Sequence, residues 1–217
     1  MKKIVIAMLL ALPLAAVAQV WEVPDQQQTP TAKTSKEKQS EKVVGEDPDA
    51  PYLAGAVPEE DGHVVWKRTY HNDWDAETNY TNMLDYFTRF TKQENQLPGS
   101  HVALVDKNEH NIVTAVTEWL VFKNTFLALD RTQFDYTVLV ECSDKVVNVK
   151  IFRLIYTYEA EREGGMQYKA EGLINDENAL NKSRTKLYKK LGKFRRKTVD
   201  RMNEILDDIA KTLNSHE

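Results

Sequence analysis

The chain has 217 residues, 41% of them apolar and 29% charged, with 7 Pro and 8 Gly; this suits one domain of ordinary size and excludes a multi-span membrane protein, a collagen or a Pro/Gly-rich disordered chain. Its lone cysteine, Cys142, excludes an internal disulfide framework and a Cys-based zinc cluster, both of which need several thiolates. The formal net charge of −4 selects no partner.

The first element predicted is an export signal over residues 1–18. Met1-Lys2-Lys3 is a basic start, residues 4–15 are an apolar run, and Ala16-Val17-Ala18 places small residues ahead of Gln19. The run is shorter than the roughly 20 residues that span a bilayer. No cysteine follows it to carry a lipid anchor. The expectation is a soluble exported chain starting at Gln19, with 27 basic against 33 acidic residues and a net charge of −6. A lone thiol suits an oxidising compartment. The periplasm is the expected address, with the protein free there or held at the outer membrane, and nucleic acid is not an expected partner.

Residues 19–51 read as a polar linker, because they hold too little apolar area to offset the entropy of ordering them; Trp21 is the exception, a stray tail residue or a docking anchor. A domain is expected over 52–158. Glu59-Glu60-Asp61-Gly62 is a turn by composition, and residues 63–70 follow as a strand. Asp75 caps a helix in which Tyr80, Met83, Leu84, Phe87 and Phe90 recur at three- and four-residue spacing. Pro98-Gly99 closes it.

Short strands follow at 101–107 and 112–123. From Phe134 to Cys142 the alternation is strict, and a last long strand runs over 145–158. Serial short connections favour antiparallel pairing. Residues 159–217 read as a polar loop to about 172 and then as helix over 176–213, with Gly192 marking a kink or a break. The fold class is therefore α+β: an antiparallel sheet of about five strands and a long C-terminal helical segment.

The search for chemistry yields no catalytic set, cofactor or metal site. The histidines form neither His-x-Glu nor His-Glu-x-x-His spacing. Asp73-Trp74-Asp75-Ala76-Glu77-Thr78-Asn79 lacks the Gly and bidentate Glu of a calcium loop, and capping explains its acids better. Cys142 falls on the apolar side of its strand, the setting of a buried, unreactive thiol.

The stretch Tyr52-Leu53-Ala54-Gly55-Ala56-Val57-Pro58, followed by Gly62, a Val-Val-Trp strand, an aromatic-rich helix and several strands, resembles a bacterial exported family: domain of unknown function 4468, with a TBP-like (TATA-binding-protein-like) fold. The resemblance covers about residues 52–158. It implies a curved antiparallel sheet with helices packed on one face, and it carries no activity or catalytic residues. The nucleic-acid role of the fold's namesake does not transfer, since function lives in sites.

Two surfaces invite a partner. The last strand reads as apolar on both sides, with Phe152, Leu154, Tyr156 and Tyr158 on one and Val147, Val149, Ile151 and Ile155 on the other, and Trp119 able to join either. Such a sheet is covered on both faces or exposes a binding patch. Between residues 182 and 201 ten cations, among them Lys186, Lys189, Lys190, Lys193 and Arg196, face a single acid, Asp200. They form a solvated helix face, or they attract anionic lipid headgroups, an acidic partner or the chain's own linker. The functional expectation is a non-enzymatic periplasmic binding or assembly module, with an unknown protein or an anionic envelope surface as partner. A small apolar ligand-binding domain is the alternative, and a hydrolase using His101 or Glu109-His110 the third reading.

Overall fold

The structure, a computed structural model, describes residues 47–126, 128–158 and 165–214. The expected leader, most of the expected linker with Trp21, and 159–164 of the expected polar loop lie outside these residues. After a short 3-10 turn at Ala50–Tyr52, the elements in order are β1 (Glu59–Glu60), β2 (His63–Val64), β3 (Trp66–His71), α1 (Ala76–Phe90), β4 (His101–Asp106), β5 (Asn111–Thr125), β6 (Ala128–Ser143), β7 (Val146–Tyr158), β8 (Met166–Lys169), α2 (Asp176–Ala179) and α3 (Gly192–Asn214). The main sheet has six strands in the order β3-β7-β6-β5-β4, with β8 also beside β7, and every pairing is antiparallel. Strand β8 adds one to the number expected; it has only four residues and no apolar alternation to signal it.

Both long helices pack on one face of this sheet. The α1 stripe buries Tyr80, Met83, Phe87 and Phe90, and α3 buries Phe194, Val199, Met202, Ile205, Leu206 and Ile209. Asp75 caps α1 as expected, its carboxylate accepting from the Thr78 amide at 2.8 Å. From the sheet come Ile112, Val116 and Leu120 of β5 and Phe134, Val138 and Val140 of β6, the period-two residues of each strand. The rings of Phe134 and Tyr156 stack at 4.9 Å, and Phe194 meets Tyr156 edge-on at 5.5 Å. Cys142 is buried here too, and burial pushes its thiol up to about 12, so it stays protonated.

Strand β7 is not apolar on both faces, which corrects the sequence reading. Asp135 pairs with Ile155 and Thr137 with Phe152, so Arg153 and Leu154 together oppose Tyr136. This is a β-bulge, and Arg153 takes the left-handed backbone it requires, at φ +59°. The extra residue reverses the alternation. Val147, Val149 and Ile151 before it and Leu154 and Tyr156 after it all enter the core, each at most 2% exposed. Phe152 and Ile155 are left half-buried on the outer face.

The bulge supplies a direct test. Arg153→Gly is expected to leave stability within about 1 kcal/mol or to raise it, because relief of a left-handed non-glycine residue offsets the unfolded-chain entropy that glycine adds. Arg153→Val should cost about 1–3 kcal/mol, since a branched Cβ fits that backbone poorly. Urea midpoints of the two variants check this, and equal destabilisation by both would contradict it.

The helical segment expected over 176–213 is also corrected. Helix α2 stops at Ala179, and α3 begins only at Gly192. Between them Leu180 bridges to Leu187, and the Asn181 side chain accepts from the amides of Thr185 and Lys186. Polar side chains that bond their own backbone compete with helix formation. Gly192 marks the break because an added Cβ there would lie 3.1 Å from the Leu187 side chain.

Candidate binding surfaces

Among the described residues two buried charged centres, at Glu118 and Arg195, are taken up in packing bonds. Glu118 stands on the core side of β5, in register with Val116 and Leu120, and is 1% exposed. One carboxylate oxygen accepts from the Tyr136 hydroxyl at 3.0 Å and Arg201 Nε at 2.9 Å. The other accepts from Asn95 at 2.8 Å, Gln96 at 2.7 Å and Arg201 Nη2 at 2.8 Å. This bidentate pair ties α3 to the sheet and satisfies a charge that burial alone would make costly. Burial works against the charge of Arg201, but its bonds to Glu118 hold its pKa above the ordinary value. Burial, and then Glu118, pushes the Tyr136 hydroxyl well up.

Arg195 is wholly buried. Its guanidinium donates to the carbonyls of Tyr52 at 2.6 Å, Leu53 at 2.7 Å and Ile174 at 2.7 Å, and to Asp176 at 2.6 Å. The second oxygen of Asp176 accepts from the amide of Gly55, whose φ of +84° suits glycine. The Tyr52–Pro58 stretch is therefore a strap held to α3, with the Tyr52 hydroxyl donating to Asp200 at 2.8 Å. A lone Arg in a basic run carries no sequence sign of this role.

The residues of the two expected surfaces fall partly in the core and partly in ion pairs. Tyr156 is 0% exposed, and its hydroxyl bonds Thr198 at 2.7 Å inside the core. Trp119 lies half-buried on the outer face, with the Arg131 guanidinium 3.7 Å above its ring. Phe152 is on the same face under Lys150. Tyr158 donates to Asp130 at 2.9 Å, and Lys193 pairs with the same carboxylate at 2.7 Å while lying 4.6 Å over the Phe122 ring. Arg196 pairs with Asp49 at 2.6 Å. Much of the basic run is thus neutralised by partners distant in sequence: Lys193, Arg195, Arg196 and Arg201 each have one. Lys182, Lys186, Lys189 and Lys190 are exposed.

Of the histidines, His110 meets Glu77 at 3.3 Å and the edge of Tyr80 at a ring distance of 5.6 Å. His101 Nδ1 donates locally to the Gly99 carbonyl at 2.8 Å. Among the described residues no three His, Cys, Asp or Glu side chains converge as a metal site, and no helix is long and apolar enough to cross a membrane.

An open cleft of about 410 Å³ lies beside the bulge, lined by His63, Arg153, Ile155, Lys169 and Glu171 among others. Glu171 accepts from the Val64 amide at 3.1 Å, so this acid is committed to holding β2.

Another exposed feature is an arm that sequence reasoning missed. Among the described residues the last β6–β7 pair is Thr132 with Tyr158, and β5 and β6 pair with each other from Val121 and Arg131 to Thr125 and Ala128. A two-stranded ribbon is marginal alone. This one is anchored at its base by Phe122 against Phe194, 4.6 Å between ring centres, and by the Asp130–Lys193 pair. At its end Phe126 is 102% exposed, and Leu129 is 56% exposed. The signal available in the sequence was a run of apolar residues, 126–129, at a hairpin turn.

The model of the family described as domain of unknown function (DUF4468) with TBP-like fold matches residues 72–157, a range that starts after the Tyr52–Pro58 strap. The chain is similar to a DUF4468 family protein of known crystal structure from Bacteroides ovatus, at 36% identity over 77% of this chain and 95% of that one, with a TM-score of 0.71. A TBP-like protein from Parabacteroides distasonis, 18% identical, shares the fold at a TM-score of 0.61 over 75% of this chain and 99% of that one. No curated protein matches. With more than a third of its residues identical across nearly the whole of that Bacteroides ovatus structure, the chain belongs to the DUF4468 family, with its TBP-like fold.

Proposed function

We propose that the protein is a non-enzymatic exported module that works by docking, in the periplasm or at the outer membrane, through the end of the sheet that carries the β5–β6 arm. The observation that carries this reading is the distribution of exposed large apolar side chains. Among the described residues eight are exposed, and five of them, Val121, Phe126, Leu129, Met166 and Tyr168, stand at that end, because Met166 pairs with Tyr158 and Tyr168 with Tyr156 at the arm's base; Leu104 and Val105 lie on β4 beside Val113 and Ile112, and Tyr188 lies between α2 and α3. Exposed apolar side chains gathered at one end of a fold mark an interaction site more often than scattered ones do. Export rests on the leader-like residues 1–18. The non-enzymatic reading is supported by the commitment of the inner polar groups: Glu118, Arg195 and Arg201 are taken up in packing bonds.

The small-ligand alternative is less favoured. The space between sheet and helices is filled by Met83, Phe87, Phe90, Phe134, Tyr156 and Met202, each at most 2% exposed.

Photo-cross-linking in the native cell tests the docking reading, with a probe in place of Leu129 and a control probe in place of Glu141, which is exposed at the far end of β6. A reproducible protein or lipid adduct at the first position and none at the second is expected. Silence at Leu129, or equal labelling at both, overturns the reading.

A further inference from the structure

The chemistry of the arm points to what it meets, and this rests on the docking reading above. We infer that the β5–β6 arm is a membrane-anchoring wedge that enters the surface of a bilayer containing anionic lipid, with Phe126 and Leu129 among the acyl chains. The dimensions suit this. Strand residues rise about 3.3 Å each, which puts Phe126 roughly 13 Å beyond Phe122 at the anchored base. Interfacial anchors bury their apolar part about 5–10 Å into the headgroup and acyl boundary. Insertion to that depth takes in the tip and stops at the charged residues behind it.

Those charges are arranged for an anionic surface. Lys123 is exposed on the arm, three residues behind Phe126. Asp130 is the arm's acid, and Lys193 neutralises it; an unpaired carboxylate there would oppose approach to anionic headgroups. Lys189 and Lys190 are exposed and precede Lys193 by so little chain that both lie within about 14 Å of it. Lysines near an anionic leaflet attract it additively. A protein groove would reward a polar rim able to hydrogen-bond in register, whereas a wholly exposed phenyl ring backed by exposed lysines matches the layered chemistry of a bilayer surface.

Flotation of the processed protein with vesicles provides the test. Vesicles of phosphatidylcholine are compared with vesicles in which roughly a third of the lipid is phosphatidylglycerol. The protein is expected to float with the anionic vesicles and several-fold less with the neutral ones. Phe126→Glu should weaken binding about ten-fold or more, the worth of one buried aromatic side chain. Replacing Lys189 and Lys190 with Ser should weaken binding to anionic vesicles alone, by roughly five-fold per lysine. Both changes are on exposed residues, and an unchanged urea midpoint shows that each variant is folded. No flotation with either vesicle, or flotation of Phe126→Glu equal to the unaltered protein, overturns the inference. A protein adduct at Leu129 without flotation would overturn the lipid partner and leave docking standing. Silence in both experiments would remove both.

Discussion

Replacing Glu118 with leucine is expected to cost about 3–5 kcal/mol of folding stability, the range seen when one member of a buried ion pair is removed. The carboxylate accepts from Tyr136, Asn95, Gln96 and two nitrogens of Arg201. Without it the guanidinium, only 13% exposed, is left charged with Glu204 at the surface as its remaining acid. Three uncharged donors lose a partner as well. A second variant separates the charge from the volume: Glu118→Leu combined with Arg201→Met should recover most of the loss, because an apolar pair of similar size carries no desolvation penalty. Urea unfolding of the single and double variants, at unchanged slope, measures this. A double variant as unstable as Glu118→Leu alone would mean that packing, not charge, is what Glu118 supplies.

Arg195→Met is expected to cost a similar 3–5 kcal/mol, for a different reason. The methionine fills much of the volume, but the carbonyls of Tyr52, Leu53 and Ile174 lose their donor, at about 1–3 kcal/mol for each group left buried and unsatisfied. Asp176 also loses its closest cation. Because Arg195 holds the Tyr52–Pro58 strap, part of the loss should appear as local opening before global unfolding. Limited proteolysis of the folded variant is expected to cut within residues 52–58 where the unaltered protein resists. A variant that unfolds at lower urea with the strap still protected would show that Arg195 serves the α3 packing alone.

Both residues show where sequence patterns stop. Alternation and helical spacing are short-range properties, so β5, β6, α1 and the second half of α3 are legible from them, as is the Asp75 cap, which acts three residues along its own chain. Arg195 and Glu118 act across 142 and 83 residues. In the sequence one is a cation in a basic run, and the other is an acid at an apolar position of a strand. That second sign was present: Glu118 follows Ile112, Thr114 and Val116 at period two, and only a partner makes a carboxylate tolerable there. The partner, however, is on α3.

The same division separates the candidate surface from the residues that compose it. From its sequence alone the chain has an α+β fold, an antiparallel sheet, a capped aromatic helix and a basic C-terminal segment, because each follows from the spacing and type of neighbouring residues. Where the apolar side chains of β7 point was settled by the bulge at Arg153, which buries Leu154 and Tyr156 and turns Phe152 and Ile155 outward. Which cations of the basic run are neutralised was settled by acids brought from Asp49, Asp130 and Asp176. That Phe126 stands exposed at a hairpin end was settled by how far β5 and β6 pair with each other. Each of these is a contact between distant segments, and the free energy that selects it, burial of apolar area with every inner charge partnered, is a property of the packed chain and of no local window within it.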